Sequence, residues 1–205
     1  MGIICPGGSY FCTIKSWGDG MKRLAVIVVL VAMLCGCTQH SENMDRVIAL
    51  RGKMQQKDVS FTVEITADYG DKRHTFSLDC QCDTKGNLQF TVTQPESIRG
   101  ITGTIAQNSG KLTFDDQVLA FDILADGLIS PVSGPWVMME TLRGGYLTSC
   151  SREGELLRVA IDDSYAEKAL HLEIWLDSGD APCQCEVYWQ GRRLLTMSVK
   201  NFCYL

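Results

Sequence analysis

The chain has 205 residues, with 19 Lys and Arg against 24 Asp and Glu, a net charge of −5 and 45% apolar residues. That suffices for one domain with its own core, and the acidic balance argues against nucleic acid, or anionic lipid held electrostatically, as a partner. Without Lys15, Lys22, Arg23 and Asp19, residues 37–205 keep 16 basic and 23 acidic side chains, which sharpens the exclusion.

Residues 1–20 carry no pattern and precede a complete export signal, so Met21 reads as the initiator and 1–20 as an extension outside the mature protein. In Met21 to Cys37, MKRLAVIVVLVAMLCGC, Lys22 and Arg23 precede eleven apolar residues, Leu24 to Leu34. The run is too short for a spanning helix, which needs roughly 20 residues. Leu34-Cys35-Gly36-Cys37 resembles the lipobox of bacterial lipoproteins, in which the cysteine after the cut receives diacylglycerol. Gly36 is the small residue that cleavage wants, so Cys37 is the expected lipid attachment and 21–36 the signal peptide. Two acyl chains on one cysteine suffice for stable membrane attachment.

A polar tether, 37–43, leads into a helix expected over Glu42 to about Gln56, with Met44, Val47, Ile48, Arg51 and Met54 on one face and Ser41 as cap. After Lys57 the period becomes two. Phe61, Val63, Ile65 and Ala67 alternate with polar residues; so do His74, Phe76, Leu78, Cys80 and Cys82, and then Leu88, Phe90 and Val92. Such alternation predicts strands with one dry and one wet face. Turns at Tyr69-Gly70-Asp71 and Lys85-Gly86-Asn87 make the neighbours antiparallel. Pro95 ends the third strand. Ile101 to Gln107 and Lys111 to Asp115 form a hairpin across Asn108-Ser109-Gly110, and Val118 to Phe121 follows the Asp115-Asp116 turn.

Asp122 to Pro135 is apolar but irregular. Pro135 suits the first turn of a helix capped by Ser133 or Gly134, with Trp136, Met139 and Leu142 on one side and Gly144-Gly145 as its stop. Hairpins then resume: Tyr146 to Ser151, Leu156 to Asp162, Leu170 to Leu176, Cys183 to Trp189, and Leu195 to the end after the Gln190-Gly191 turn. The sum is about eleven strands and two helices, a mainly β domain over 44–205. Two short helices cannot cover that much dry strand face, so the sheet is expected to curl on itself as a barrel or half-barrel, or else to pack as a sandwich. The tight hairpins favour one continuous meander, which when curled leaves an apolar hollow.

An N-terminal helix, an eleven-strand meander, a helical interruption after the sixth strand and a lipobox together resemble the lipoprotein-localisation factors LolA and LolB. FTVTQPESIRGITGTI, Phe90 to Ile105, is similar to their passage of apolar strand, Pro-Glu and Gly. The resemblance implies a curved antiparallel sheet with a lid helix over a cavity for lipoprotein acyl chains, and no catalytic signature. The acyl anchor and acidic, cysteine-containing domain also look like relatives in Gram-positive anaerobes, including the spore-germination lipoprotein that partners a cell-wall amidase.

Phe61, Phe76, Phe90, Trp136, Met139, Leu142 and Leu172 are the candidate cavity and lid residues. The helix carrying Trp136 reads equally as packed on the sheet or as a mobile lid, and its methionines suit a surface that re-packs around variable ligands. Cys80-x-Cys82 and Cys183-x-Cys185 lie on strands rather than in zinc-knuckle turns. Together with Cys150 and Cys203 they read first as reduced core thiols, with disulfides between distant strands or a metal site as alternatives. There is no Gly-x-Ser-x-Gly; His40 in the tether, His74 on the apolar side of a strand start and His171 on the polar side read as structural or solvated. The doublets Asp115-Asp116 and Asp162-Asp163 read as turn-forming, and Gly103 to Lys111 as a hairpin rather than a phosphate loop. The expectation is a non-enzymatic lipoprotein without metal or cofactor, anchored on the outer face of the cytoplasmic membrane and binding an acyl chain or another hydrophobic ligand. The alternative is a scaffold for an envelope protein such as a cell-wall hydrolase, with Trp175 and Tyr188 on the wet face as anchors.

Overall fold

Alternation with a period of two runs from Val59 to Tyr204 with one main interruption, and the computed structural model turns nearly all of it into one antiparallel sheet. The structure describes residues 42–70, 72–106, 109–114, 117–122, 124–125 and 128–205. The N-terminal extension, the export signal, Cys37, His40, the tether as far as Ser41 and the Asp115-Asp116 turn lie outside the described residues. Those described belong to one compact unit, His40–Leu205.

Helix α1 covers residues 42–54. Its buried stripe is Asn43, Val47, Leu50 and Met54, at i, i+4, i+7 and i+11. This stripe is rotated from the expected one: Ile48 is 57% exposed, and Leu50 takes the inward place.

The first arm of the sheet comprises β1 (Val59–Asp68), β2 (Arg73–Cys82), β3 (Leu88–Gln94), β4 (Thr102–Ala106), β5 (Ser109–Phe114) and β6 (Gln117–Asp122). The irregular stretch that follows contains a small hairpin, β7 (Leu124–Ala125) with β8 (Leu128–Ile129), a 3₁₀ turn at Pro131–Ser133, and helix α2 (Gly134–Gly144). The second arm comprises β9 (Tyr146–Glu153), β10 (Leu156–Asp162), β11 (Leu170–Leu176), β12 (Pro182–Trp189) and β13 (Arg192–Tyr204).

Strand order is β6-β5-β4-β3-β2-β1-β13-β12-β11-β10-β9: one open, eleven-stranded antiparallel sheet with two helices. The connectivity differs from a single sweep. Two meanders meet where β1 pairs with β13, Val63 opposite Val199 and Ile65 opposite Met197. The connection after β6 carries α2 across the sheet and restarts the chain at the far edge, so first and last strands pair in the centre.

Local chemistry sets the turns. Gly86 takes φ +86°, and Gln190-Gly191 takes φ +50° and +77°, the two positive values a tight hairpin requires. Ser109 and Gly110, expected in a loop, belong to β5: Ala106 pairs with Ser109, whose Oγ donates to the Ala106 carbonyl at 3.1 Å. Ser133 does not cap α2 with its side chain. The 3₁₀ turn runs straight into the helix, Ser133 has φ −85° and ψ −15°, and its buried Oγ has no partner among the described residues.

Alternation sends Phe61, Val63 and Ile65, with their cross-strand partners Cys80, Leu78, Val199 and Met197, into one core with both helices, while Ser, Thr, Gln and acidic residues line the other face of β1 and β2. Cys80 and Cys82 point inward on β2 and Cys185 on β12. Cys183 leaves the expected face because it falls in a bulge, where Trp175 pairs with Gln184 and Leu176 with Pro182; its Sγ donates to the Trp175 carbonyl. Cys80, Cys82, Cys150, Cys183, Cys185 and Cys203 are free thiols.

Candidate functional site

The apolar face of the sheet is where the sequence directs attention, and α2 decides its character. The first six residues of α2, Gly-Pro-Trp-Val-Met-Met, contain no polar side chain, and its charged residues, Glu140 and Arg143, pair with each other on one side, so the rest of its surface must be covered. Trp136, Val137, Met138, Met139 and Leu142 are all buried, Trp136 the most exposed at 8%. The helix thus fills the centre of the half-barrel, and its residues pack as core.

Small residues at its ends let it approach the strands. A Cβ on Gly134 would meet Met197 Sδ at 2.9 Å and Leu195 Cδ1 at 3.0 Å on β13. One on Gly145, just past the helix, would meet Ile161 Cγ2 at 2.6 Å and the Asp162 carbonyl at 2.8 Å on β10. Its first and last turns are tied to the β2–β3 turn, where Trp136 Nε1 donates to the Gly86 carbonyl at 2.9 Å and Arg143 Nη2 to the Asp83 carbonyl at 2.7 Å. Arg51 of α1 holds the C-terminal end: its Nε donates to the Leu142 carbonyl at 2.9 Å and its Nη2 to the Gly145 carbonyl at 2.7 Å. The helix contacts both arms, and Arg51 joins it to α1.

Electrostatics near α2 follow from burial. Desolvation lowers the Arg51 guanidinium, raises the Glu140 carboxyl against the pull of Arg143 at 3.5 Å, and pushes the Cys82 thiol up to about 11. Desolvation also acts on Asp83, but donors from Asn87 and Lys85 outweigh it and hold its carboxyl below the usual range.

Of the candidate cavity residues, Phe61, Phe90, Trp136, Met139, Leu142 and Leu172 share one buried core. Phe61 stacks on Phe202 at 5.8 Å between ring centroids, a contact from the C-terminal strand that the sequence did not signal. Phe76 stands apart, half-buried and 6.3 Å from the His74 ring. Helical cover gives out toward the β6 edge. The inward row runs Phe90, Gly103, Leu112, Leu119 across β3 to β6. The Phe90 ring occupies the space above Gly103, Leu112 is half-buried, and Leu119 is 64% exposed. An apolar shelf therefore continues the core into solvent, and Leu119 was not among the residues nominated from sequence.

On the wet face of the second arm, the aromatics read as partner anchors are engaged within the fold. Trp175 Nε1 donates to Glu153 at 2.8 Å beneath the Arg158 guanidinium, 5.9 Å from the ring centroid, and Tyr188 hydrogen-bonds Glu186. His171 Nδ1 lies 2.7 Å from Asp162, and Asp163 Oδ1 accepts from the Leu170 amide as a turn residue. Among the described residues no cluster of three His, Cys, Asp or Glu side chains is arranged to hold a metal, and no helix is long and apolar enough to cross a membrane.

No family model and no curated protein matches the sequence. Solved structures resemble it at a distance. An uncharacterized conserved protein from Thermus thermophilus is 14% identical, with 82% of this chain and 88% of that one covered and a TM-score of 0.45. A LolA superfamily protein from Nitrosomonas europaea is 12% identical over 76% of this chain and 92% of that one, at 0.41. A DUF1329 family protein from Desulfovibrio piger is 8% identical over 80% and 92%, at 0.46. Likenesses this remote assign no ligand, so what the domain binds has to be read from its own residues.

Proposed function

We propose that this chain is an extracytoplasmic lipoprotein without enzymatic activity, attached through diacylglycerol on Cys37 to the outer face of the cytoplasmic membrane, and that it binds an acyl chain against the apolar face of its sheet. The observation that carries the reading is Leu119. It continues a buried apolar row past the edge of the helical cover, on an inward-facing position that a self-contained domain would fill with a polar residue. An acyl chain laid along β5 and β6 removes that surface from water at roughly 0.8 kcal/mol per buried methylene. Met138 and Met139, flexible and polarisable, let the neighbouring core adapt to chains of different shape. The basic and apolar order of Met21 to Cys37 supports the anchor.

The test uses full-length protein purified from bacterial membranes. Mass spectrometry of its processed N-terminus is expected to find diacylglyceryl-modified Cys37, and organic extraction to release fatty acid or lipid. A fluorescent fatty acid is expected to bind saturably and to lose at least tenfold in affinity in Leu119→Asp. An unmodified Cys37 refutes the anchor; no extracted lipid and no saturable probe binding refute the ligand.

A further inference from the structure

The opposite, polar face of the first arm is also hollowed. Between β1 and β5 it holds a trough of about 510 Å³, on the side of the sheet away from both helices. Strand register organises the trough into two rows. Ser60 pairs with Gln81, Gln81 with Gln89 and Gln89 with Thr104. Two residues along each strand, Asp79 pairs with Thr91, Thr91 with Thr102 and Thr102 with Thr113. Each row crosses four strands and presents a hydroxyl, amide or carboxylate at every strand, a repeat of roughly 4.8 Å with the rows roughly 7 Å apart.

We infer that this trough binds an extended, uncharged glycan strand lying across the strands. Three features select the ligand class. First, the lining contains one carboxylate, Asp79, and the first row ends against Lys111 opposite Thr104, so one charge of each sign stands at the site and neither an anionic nor a cationic ligand is selected. Second, the backbone beneath is already paired within the sheet, so a peptide cannot add itself as a strand here; recognition runs through side chains, and the ligand must carry hydrogen-bonding groups along its own edges. Third, a periodic chain of sugar hydroxyls and acetamides offers donors and acceptors at a regular repeat, which Thr, Gln and Asp match. Asp79 is held by Thr62 at 3.1 Å and Ser60 contacts Cys203 Sγ at 3.0 Å, whereas the side chains of Gln81, Gln89, Thr91 and Thr102 have no partner among the described residues. The aromatic contribution to the lining, Phe90, faces the core, so sugars are gripped by their hydroxyls rather than by stacking and affinity depends on several bonds at once.

This site is independent of the acyl-chain reading, since it lies on the other side of the sheet. The test titrates full-length protein with the hexamer of β-1,4-linked N-acetylglucosamine and, separately, with cellohexaose, by calorimetry. Thr91→Val with Thr102→Val keeps the β-branched shape and the strand while removing two hydroxyls; Thr75→Val, on the same face outside the trough, is the control. Saturable binding of at least one hexamer is expected, weakened at least tenfold by the double substitution and unchanged by Thr75→Val. Binding of neither hexamer, or equal binding by the double variant with an unaltered circular dichroism spectrum, overturns the inference.

Discussion

Arg51 of α1 and Leu142 of α2 are joined by a hydrogen bond of 2.9 Å from guanidinium to main-chain carbonyl, and the same guanidinium reaches Gly145 at 2.7 Å. A helix C-terminus leaves carbonyls without intrahelical partners, and a cation there also complements the dipole. Burial lowers the Arg51 guanidinium, so the charge is held at some cost and the bonds offset it. Arg51→Met keeps much of the stem packing and orphans both carbonyls. Chemical denaturation is expected to show a loss of about 2 kcal/mol. Arg51→Lys, a charge without the planar fork, is expected to recover less than half of it.

Adjacent glycines at the end of α2 give opposite predictions. Gly144 has nothing within 4 Å of where a Cβ would sit, so Gly144→Ala is expected to stabilise by about 0.5 kcal/mol through helix propensity. A Cβ on Gly145 would meet the Thr141 carbonyl at 2.7 Å and the Asp162 carbonyl at 2.8 Å, main-chain atoms that cannot step aside. Gly145→Ala is expected to cost about 2 to 3 kcal/mol or to push α2 off β10. Thermal melts of the two single variants decide it, and equal behaviour would mean that α2 does not sit as closely on β10 as described.

Much of this fold was legible because every strand has one dry and one wet side, so the inward series Phe61, Val63, Ile65 and Leu172, Ile174 announced themselves. The pairing of β1 with β13 was not, because hairpin logic links neighbours in sequence and these strands lie at opposite ends of the domain. Nor was the filling of the hollow: Trp136, Met139 and Leu142 suit a lid and a plug equally, and the distinction rests on Gly134, Gly145 and Arg51, whose roles exist only in the tertiary contacts. On α1 two overlapping stripes were apolar enough, and the choice of Leu50 over Ile48 was made by the core beneath it. The trough on the polar face required knowing which threonines stand side by side, which is register and not composition.

Glu140 provides a prediction in pH. Burial raises its carboxyl above the ordinary value, ahead of the opposing influence of Arg143. The folded state therefore holds this proton at pH values where the unfolded chain has released it, and ionisation opposes folding above the folded value. The deficit disappears as pH falls through the folded value toward the unfolded one. Glu140→Gln is accordingly expected to be more stable than the parent at pH 7 and indistinguishable from it in acid. Melting temperatures of the pair between pH 4 and 8 test this, and a destabilised Glu140→Gln at pH 7 would show that the ion pair with Arg143 outweighs burial.

Six cysteines from Cys80 onward differ enough in setting to be told apart by reactivity. The thiolate is the reacting species, so a thiol pushed up by burial is slow even where reagent reaches it. Burial raises Cys80 and Cys185 far above the ordinary thiol value and takes Cys82 to about 11, whereas Cys203 is exposed beside Ser60. Brief iodoacetamide treatment at pH 8 is expected to modify Cys203 first, Cys183 and Cys150 slowly, and Cys80, Cys82 and Cys185 only after unfolding in guanidinium chloride. Peptide mapping by mass spectrometry reads the order. Labelling in denaturant without reductant also separates the redox alternatives: all six thiols modified is the outcome expected from the structure, and a shortfall in pairs would mean that distant strands are bridged.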